Sequence, residues 1–257
     1  MHPFFHLFSV DIPAYGVFMA AGICVASSMA IIRAKKSGGD PDYTLIIICC
    51  AIGGALLGSY LLYLVASYGL NNVIEDIKDG SFAFVKSGGL VFYGGLIGGI
   101  AGALLGIRVT HETRYSMLVN AIVPCIPLGH AIGRVGCLFA GCCYGIPYAG
   151  IGSIHLSSVG IMHPVFPVQL LESVLNLILS IYLMVYSRKK PPNYTLLYLY
   201  LICYSGMRFI LEFLRGDQIR GVFIGLSTSQ WISLLMTILG IMLLFFAHTL
   251  RKAGNGE

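Results

Sequence analysis

The chain has 257 residues, of which 57% are hydrophobic and only 11% are charged. Soluble domains carry about 25% charged residues, so this chain has too little polar surface to cover a soluble globule. Composition therefore excludes a soluble enzyme or binding module and indicates one polytopic membrane domain over residues 1–257. The net charge of +5 comes without a basic patch interleaved with aromatic residues, so no nucleic-acid partner is expected.

Seven apolar windows of about 20 residues, the length that crosses a bilayer, follow one another along the chain. We expect membrane spans at Ala14–Ile32, Tyr43–Ala66, Gly89–Ile107, Ser116–Val135, Val168–Tyr186, Leu196–Leu214 and Leu226–Ala247. The first is taken as an uncleaved span, because no basic region of a signal peptide precedes it. The sequence therefore predicts an all-α integral membrane protein of about seven transmembrane helices.

The distribution of basic residues predicts the orientation of these spans. Ten of the 16 lysines and arginines follow spans one, three, five and seven, and basic loops mark the cytoplasmic side. The N-terminus is therefore expected outside and the C-terminus inside. The longest outer connection, residues 136–167, is too long for a plain hairpin loop and is expected to form a small extracytoplasmic cap.

Polar side chains gather near the predicted outer ends of the spans. Charge at membrane depth is costly, so ionisable residues inside spans indicate functional sites. Arginines suit the phosphate of an anionic lipid headgroup, because the guanidinium fork matches phosphate oxygens. The residues at this depth are Tyr15, Tyr93, His130, Arg134, Gln169, Glu172, Arg208, Glu212, Arg215 and Gln230.

Several of these residues also have a structural interpretation. Arg208 and Glu212 are four residues apart and could form an ion pair on one helix face. Arg215 could extend to the lipid headgroups without a specific role. Tyr15 and Tyr93 could be interfacial tyrosines of the aromatic belt.

The pair His130 and Arg134 lies in a glycine-rich stretch at the end of the fourth span. Arg134 has no acidic neighbour in sequence, and nearby glycines would let a ligand approach closely. His130 lies one turn deeper on the same face. It is either an acid–base group or a histidine that is hydrogen-bonded to a neighbouring helix.

Three of the eight cysteines, Cys137, Cys142 and Cys143, cluster after the fourth span. Zinc sites usually repeat a tighter pair spacing, and no second pair follows, so neither a metal nor another cofactor is expected. A disulfide within the outer cap is favoured over a metal or redox site, because that compartment is oxidising.

Six segments, in order, resemble the prolipoprotein diacylglyceryl transferases. They are Ile12–Gly16 (IPAYG), Gly88–Gly99 (GGLVFYGGLIGG), Gly133–Gly145 (GRVGCLFAGCCYG), Phe166–Ser173 (FPVQLLES), Arg208–Asp217 (RFILEFLRGD) and Leu226–Leu234 (LSTSQWISL). The resemblance implies a seven-span enzyme of the bacterial plasma membrane with its active site near the outer leaflet. Such enzymes move the diacylglyceryl group of phosphatidylglycerol to the lipobox cysteine of a prolipoprotein signal peptide and release glycerol phosphate.

The same resemblance assigns individual residues. Arg134 matches the phospholipid-binding arginine of the family signature, and Arg208 and Glu212 match the essential pair of the sixth span. Tyr15 matches an early tyrosine, and Gly145 the glycine that closes the signature. The phospholipid-binding set is therefore predicted to be Arg134, Arg208, Arg215, Tyr15 and Gly145, and the catalytic set His130, Tyr93 and Glu212.

The chain departs from the family pattern at several positions. Tyr93 stands where the family usually has histidine, Cys137 where it has asparagine, and Cys142 where it has glutamate. Apolar residues around Leu56 replace a frequent arginine. The acceptor thiol has an unperturbed pKa of about 8.5 and must lose its proton. The hypothesis is that His130 accepts this proton while Tyr93 hydrogen-bonds the substrate.

Two other functions stay open from the sequence. A diverged transferase could use the same phospholipid donor with a different acceptor, as the replaced site positions suggest. Alternatively, the protein could bind or transport anionic lipids without chemistry. A transport path needs polar groups that cross the membrane, whereas the charges here gather at one end of the spans.

Overall fold

A computed structural model describes residues 4–7, 10–81, 91–157, 160–216 and 222–254. Helices dominate this part of the chain. They are α1 (Ala14–Lys36), α2 (Pro41–Tyr63), α3 (Leu70–Lys78), α4 (Phe92–Thr110), α5 (Tyr115–Ile122), α6 (Cys125–Ala140), α7 (Val168–Ser187), α8 (Thr195–Glu212) and α9 (Thr228–Gly254). A π-helical turn, Leu64–Tyr68, continues α2.

In the described ranges, three short antiparallel hairpins that were not expected from the sequence accompany the helices. They pair β1 (Phe4–Leu7) with β2 (Val10–Pro13), β3 (Ile154–Leu156) with β4 (Ile161–Val165), and β5 (Val222–Phe223) with β6 (Leu226–Ser227). The second hairpin lies in the connection between α6 and α7, the segment expected to form a cap. The third leads directly into α9 and contributes a side chain to the site described below.

Six helices in the described ranges are long and apolar enough to cross a bilayer. They are Ala14–Lys36, Pro41–Tyr68, Tyr93–Thr110, Tyr115–Ala140, Val168–Ser187 and Thr228–Thr249. Their positions match predicted spans one to five and seven, which confirms the all-α integral membrane fold and a multi-pass protein. The first residues of predicted span three, 89–90, lie outside the described residues. Helix α8 coincides with the predicted sixth span. It is not among these six apolar helices of the described ranges, and it contains the charged residues Arg208 and Glu212. The count of seven and the orientation stay predictions.

The chain divides into two compact units. The first contains Met1–Arg33 and Val119–Glu257, and the second contains Ala34–Leu118. The predicted single domain with its cap at residues 136–167 stays a prediction. Each unit is built from helices that bury small or polar faces against one another while large apolar side chains point outward. Exposed residues such as Ile97 and Phe245 present the surface that suits lipid.

In the second unit, helices α2 and α4 pack with their backbones in contact. A Cβ atom at Gly54 would lie 2.3 Å from the carbonyl oxygen of Gly98, and one at Gly58 would lie 2.3 Å from that of Gly94. No side chain fits at such distances, so glycine is required at these positions. Small residues spaced four apart allow this approach between membrane helices. The glycines in the resembling segment Gly88–Gly99 that the structure describes thus have a packing role.

Replacing Gly54 with alanine is expected to destabilise the protein by about 1–3 kcal/mol, the usual cost of overpacking. Its neighbour Gly53 has nothing within 4 Å of its Cβ position and serves as the matched control. Gly53→Ala should be neutral or stabilising by up to about 1 kcal/mol, because alanine favours a helix. Thermal unfolding in detergent micelles measures both, and equal midpoints for the two variants would contradict the packing argument.

The loop between α4 and α5 is held by a local ion pair. The Glu112 carboxylate accepts hydrogen bonds from the Arg114 backbone N–H at 2.9 Å and from its Nε and Nη2 at 3.0 Å. Arg114 Nη1 also donates to the carbonyl of Gly38 at 2.6 Å. These hydrogen bonds lower the pKa of Glu112. The loop is therefore tied by a carboxylate that must stay ionised.

The lowered pKa predicts a pH dependence of stability. The stabilisation is complete above the ordinary glutamate pKa of about 4.3, and it is lost as the pH falls through the lower pKa of the folded state. The melting temperature should therefore fall less steeply between about pH 5 and pH 3 in Glu112→Gln than in the wild type. Parallel acid limbs in thermal melts of the two proteins would count against this role.

In the first unit, two faces of α6 have different partners. Gly129 and Gly136 contact α1, where a Cβ atom at Gly22 would lie 2.7 Å from the Gly129 carbonyl oxygen. These two glycines of the glycine-rich segment let α1 approach, and the approach of a ligand to the segment around Arg134 stays a prediction. Another face of α6 receives α7, where Ser173 Oγ donates to the carbonyl of Ala131 at 2.8 Å. This second contact positions the polar residues of α7 beside Arg134.

Candidate active site

Arg134 of α6 forms a buried ion pair with Glu172 of α7. Arg134 Nη2 lies 2.9 Å from Glu172 Oε1, and the two side chains are 14% and 1% exposed. Arg134 Nε donates to His130 Nε2 at 3.1 Å. The same His130 Nε2 atom lies 3.7 Å from Glu172 Oε1. The centroid of the His130 ring lies 5.5 Å from the centroid of the Tyr204 ring on α8. The cluster therefore joins three helices.

This geometry assigns the state of His130. A guanidinium N–H always donates, so His130 Nε2 must accept and the imidazole is neutral with its proton on Nδ1. The sequence predicted His130 as the proton acceptor. Its Nε2 lone pair is engaged by Arg134 in this arrangement, so it becomes available for a substrate proton only when Arg134 turns to another acceptor.

A second ion pair lies at the end of α8. Arg208 Nη2 and Glu212 Oε2 are 2.7 Å apart, with side chains 12% and 8% exposed. Ser227 Oγ of β6 donates to Glu212 Oε1 at 3.0 Å. The Ser227 N–H donates to Gln230 Oε1 at 2.9 Å, and the Gln230 N–H donates back to Ser227 Oγ at 3.2 Å. This reciprocal capping of α9 holds the hydroxyl that supports Glu212.

Arg208 keeps one unsatisfied donor. Its Nη1 is buried and has no hydrogen-bond partner in the described part of the chain. A buried guanidinium N–H without a partner costs free energy, and an incoming anion would recover that cost. The prediction of an ion pair between Arg208 and Glu212 is correct in geometry, but the pair leaves a donor for a ligand.

The two ion pairs and Arg215 act on one another electrostatically. The charge of Glu172 acts on Arg208, and so do the charges of Arg134 and Arg215. Among the described residues, these three arginines accompany two glutamates, Glu172 and Glu212. Guanidinium groups that outnumber the carboxylates beside them suit an anionic ligand such as a phosphate.

Gly145 lies where three backbone segments cross. Its N–H donates to the Phe166 carbonyl at 3.1 Å, and the Gly216 N–H donates to the Tyr144 carbonyl at 3.1 Å. Gly145 also forms an isolated β-bridge with Arg215. A Cβ atom at Gly145 would lie 2.5 Å from the Phe166 oxygen, so only glycine fits. The structure thus places Gly145 beside Arg215 as a backbone junction that fastens the connection between α6 and α7 to the end of α8.

Tyr15 and Tyr93 fall in different units. Tyr15 begins α1 beside Gly136, whose Cβ position is 3.4 Å from the Tyr15 Cα atom. The charge of Arg134 acts on its hydroxyl, and the part of Tyr15 in phospholipid binding stays a prediction. Tyr93 lies at the start of α4 in the second unit, and its part in the site stays a prediction.

The three clustered cysteines are free thiols, whereas the sequence favoured a disulfide. Their sulfur atoms lie within 4.8 Å of one another. Hydrogen bonds from Cys137 and Cys142 lower the pKa of the Cys143 thiol, and the charges of Arg215 and Arg134 act in the same direction. Cys143 therefore interacts electrostatically with Arg134 and Arg215.

Comparison with known proteins connects this site to a family. The family model described as prolipoprotein diacylglyceryl transferase matches residues 3–246. The chain belongs to the prolipoprotein diacylglyceryl transferase family. Membership confirms the resemblance seen in the six sequence segments.

Curated members of this family align with nearly the whole chain. A phosphatidylglycerol–prolipoprotein diacylglyceryl transferase of Clostridium tetani (strain Massachusetts / E88) is 36% identical over 92% of this chain and 94% of its own length. Transferase 2 of the same description from Clostridium perfringens (strain 13 / Type A) is 33% identical over 98% of this chain and 97% of its own. The transferase of Chlorobaculum tepidum (strain ATCC 49652 / DSM 12025 / NBRC 103806 / TLS) is 32% identical over 98% and 91%.

In this family member, the sequence placed Glu172 and Gln169 at the depth of the site but gave neither residue a role. Glu172 pairs with Arg134, and the fully buried Gln169 donates from Nε2 to the Cys142 carbonyl at 2.8 Å. Both lie in the segment FPVQLLES that supported the resemblance. A carboxylate within an apolar span was the signal that could have placed Glu172 in the site.

Proposed function

We propose that this protein is a phosphatidylglycerol–prolipoprotein diacylglyceryl transferase, which moves the diacylglyceryl group to the lipobox cysteine thiol of a prolipoprotein. The observation that carries the proposal is the buried, unsatisfied N–H donor of Arg208, which lies in a site with the ion pairs Arg134–Glu172 and Arg208–Glu212. The names of the curated relatives support the donor and the acceptor class.

In the proposed reaction the phosphate of phosphatidylglycerol binds the arginines. The acceptor thiolate attacks the glycerol carbon next to the phosphate, a C–S bond forms, and the C–O bond to phosphate breaks. Glycerol phosphate leaves with the electron pair of that bond. The guanidinium groups stabilise the charge that builds on the leaving phosphate oxygen, which is the term that usually dominates catalysis.

Phosphate binding also offers a route for the thiol proton. The phosphate competes with His130 and Glu172 for the N–H donors of Arg134, which are 3.1 Å and 2.9 Å from these two acceptors. When Arg134 turns to the phosphate, His130 Nε2 is released and can accept a proton. Binding of the phospholipid thereby frees a group that can take the thiol proton.

We place the site near the outer leaflet of the bacterial plasma membrane. The orientation expected from the basic loops puts the carboxyl end of α6 and the start of α7 on the outer side. A prolipoprotein presents its lipobox cysteine there after export. Tyr93 is included as a substrate-binding residue on the strength of the resemblance.

The proposal is tested with the purified protein in vesicles that contain phosphatidylglycerol, together with a lipobox peptide and its Cys→Ser counterpart. The expected result is a diacylglyceryl mass gain on the cysteine peptide alone, with one glycerol phosphate released for each product. Release of glycerol phosphate with a small thiol but no peptide product would instead favour a diverged transferase with another acceptor. Phospholipid binding without any release would leave a non-catalytic lipid-binding protein.

A further inference from the structure

Cys137, Cys142 and Cys143 form a cluster of thiols at the carboxyl end of α6. Their three sulfur atoms lie within 4.8 Å of one another. In the described chain, this group contains no histidine, aspartate or glutamate ligand atom beside the sulfurs. Cys137 is buried, Cys143 is half-buried and Cys142 is exposed. The cluster is therefore buried at Cys137 and accessible at Cys142.

The backbone holds this cluster in place. Helix α6 ends at Gly141, whose φ of 71° is the left-handed C-cap conformation that glycine adopts readily. The Cys142 N–H donates to the Cys137 carbonyl at 3.2 Å, and Gln169 holds the Cys142 carbonyl. Cys143 itself has a φ of 59°, an uncommon conformation for a residue with a side chain. The turn thus folds Cys142 and Cys143 back onto Cys137.

Three sulfur donors at these distances have the geometry of a thiophilic metal site. Two sulfur ligands of one zinc ion, each bonded at about 2.3 Å, lie about 3.8 Å apart. Small side-chain rotations bring a group within 4.8 Å to that separation. A disulfide would use only two of the three sulfurs. Metal sites with three protein ligands keep a fourth position for a substrate.

We propose that Cys137, Cys142 and Cys143 bind a thiophilic divalent cation such as Zn²⁺, and that its fourth position takes the acceptor thiol. This role rests on the proposed transferase function. A thiol that coordinates zinc is deprotonated outright, so the cation supplies the thiolate that the reaction needs. The acceptor proton leaves to solvent on coordination. The bound sulfur then forms the C–S bond as the C–O bond to phosphate breaks and glycerol phosphate departs with that electron pair.

The charges around the thiol cluster fit this site. Three cysteine thiolates and one Zn²⁺ carry a net charge of −1. The charges of Arg215 and Arg134 both act on the Cys143 thiol and offset that charge. The arginines proposed to bind phosphate therefore act electrostatically on the proposed cation site.

Metal binding is tested on the full-length protein in nanodiscs, without turnover. The reduced wild type is titrated with Cd²⁺, followed by the sulfur-to-cadmium charge-transfer absorption, and its Zn²⁺ content after dialysis is measured by mass spectrometry. One equivalent is expected for the wild type, and at least a tenfold weaker affinity for Cys142→Ser and Cys143→Ser. Cys24→Ser, which changes an exposed cysteine of α1, is the matched control and should bind as the wild type does.

The fourth position is tested with Co²⁺ in place of Zn²⁺. Addition of a lipobox peptide should increase the sulfur-to-cobalt charge-transfer absorption, and the Cys→Ser peptide should not. The site is refuted if the reduced, folded wild type takes up no stoichiometric metal. It is also refuted if the protein is isolated with a disulfide between two of these cysteines and binds no metal after reduction. Full transferase activity after chelation, with the metal removed, refutes the acceptor role while the proposed function stands. Stoichiometric metal binding without any transfer of the diacylglyceryl group would leave the metal site standing and would refute the proposed function.

Discussion

Arg134→Lys is expected to lower the rate of diacylglyceryl transfer by about 100-fold or more while the protein stays folded. Lysine keeps the positive charge beside Glu172, which lies 2.9 Å from Arg134 Nη2. It cannot reproduce the planar fork that binds two phosphate oxygens at once. Removing one donor from a buried anion site typically costs about 10²–10³ in rate. The measurement is kcat/KM for the lipobox peptide in vesicles.

The lysine variant is more informative than alanine at this position. Alanine would leave the carboxylate of Glu172 buried and unpaired, so a loss of activity could reflect misfolding. Arg188→Lys, at an exposed arginine just after α7, is the matched control and should keep wild-type activity. Near-normal transfer by Arg134→Lys would mean that the phosphate is bound elsewhere.

The second large effect is expected on stability. Glu172→Leu should destabilise the protein by about 3–5 kcal/mol, because it leaves the charge of Arg134 buried without its partner. The double variant Glu172→Leu with Arg134→Met should regain most of that loss, since a buried ion pair is often replaceable by apolar residues of similar volume. Reversible unfolding in mixed detergent micelles measures both variants.

The control for this cycle is Glu75→Leu, at an exposed glutamate of α3, where a change within about 0.5 kcal/mol is expected. Glu172→Leu as stable as the wild type would show that the ion pair contributes no stability. A double variant no more stable than Glu172→Leu would point to a packing role of the glutamate stem instead of a charge effect.

Much of the membrane architecture could be predicted from the sequence, because the signal is local. A helix that crosses lipid needs about 20 consecutive apolar residues, and such windows are visible without knowledge of any contact. The contact between His130 and Arg134 could also be predicted from residues close together in the sequence. Residues four apart share a helix face, and the 3.1 Å hydrogen bond between these two side chains follows from that spacing. The ion pair between Arg208 and Glu212 has the same origin.

The glycines show what local reasoning left open. Glycine permits the close approach of a ligand or of a second helix, and its spacing does not distinguish them. Gly129 and Gly136 contact α1, and Gly54 contacts α4. The choice depended on which helix packed nearby, and that information lies in a distant part of the chain.

The sequence by itself determined the class of protein, most of the spans and the family, since each is written in composition, apolar length or ordered motifs. Only the tertiary structure decided that Glu172 is the partner of Arg134, that Arg208 retains an unsatisfied donor, and that three thiols meet in a triangle. These features join residues from separate helices or depend on the turn at Gly141. For the pair of Arg134 and Glu172 the physical reason is the packing of α6 against α7, which brings side chains 38 residues apart in the chain within 3 Å of one another.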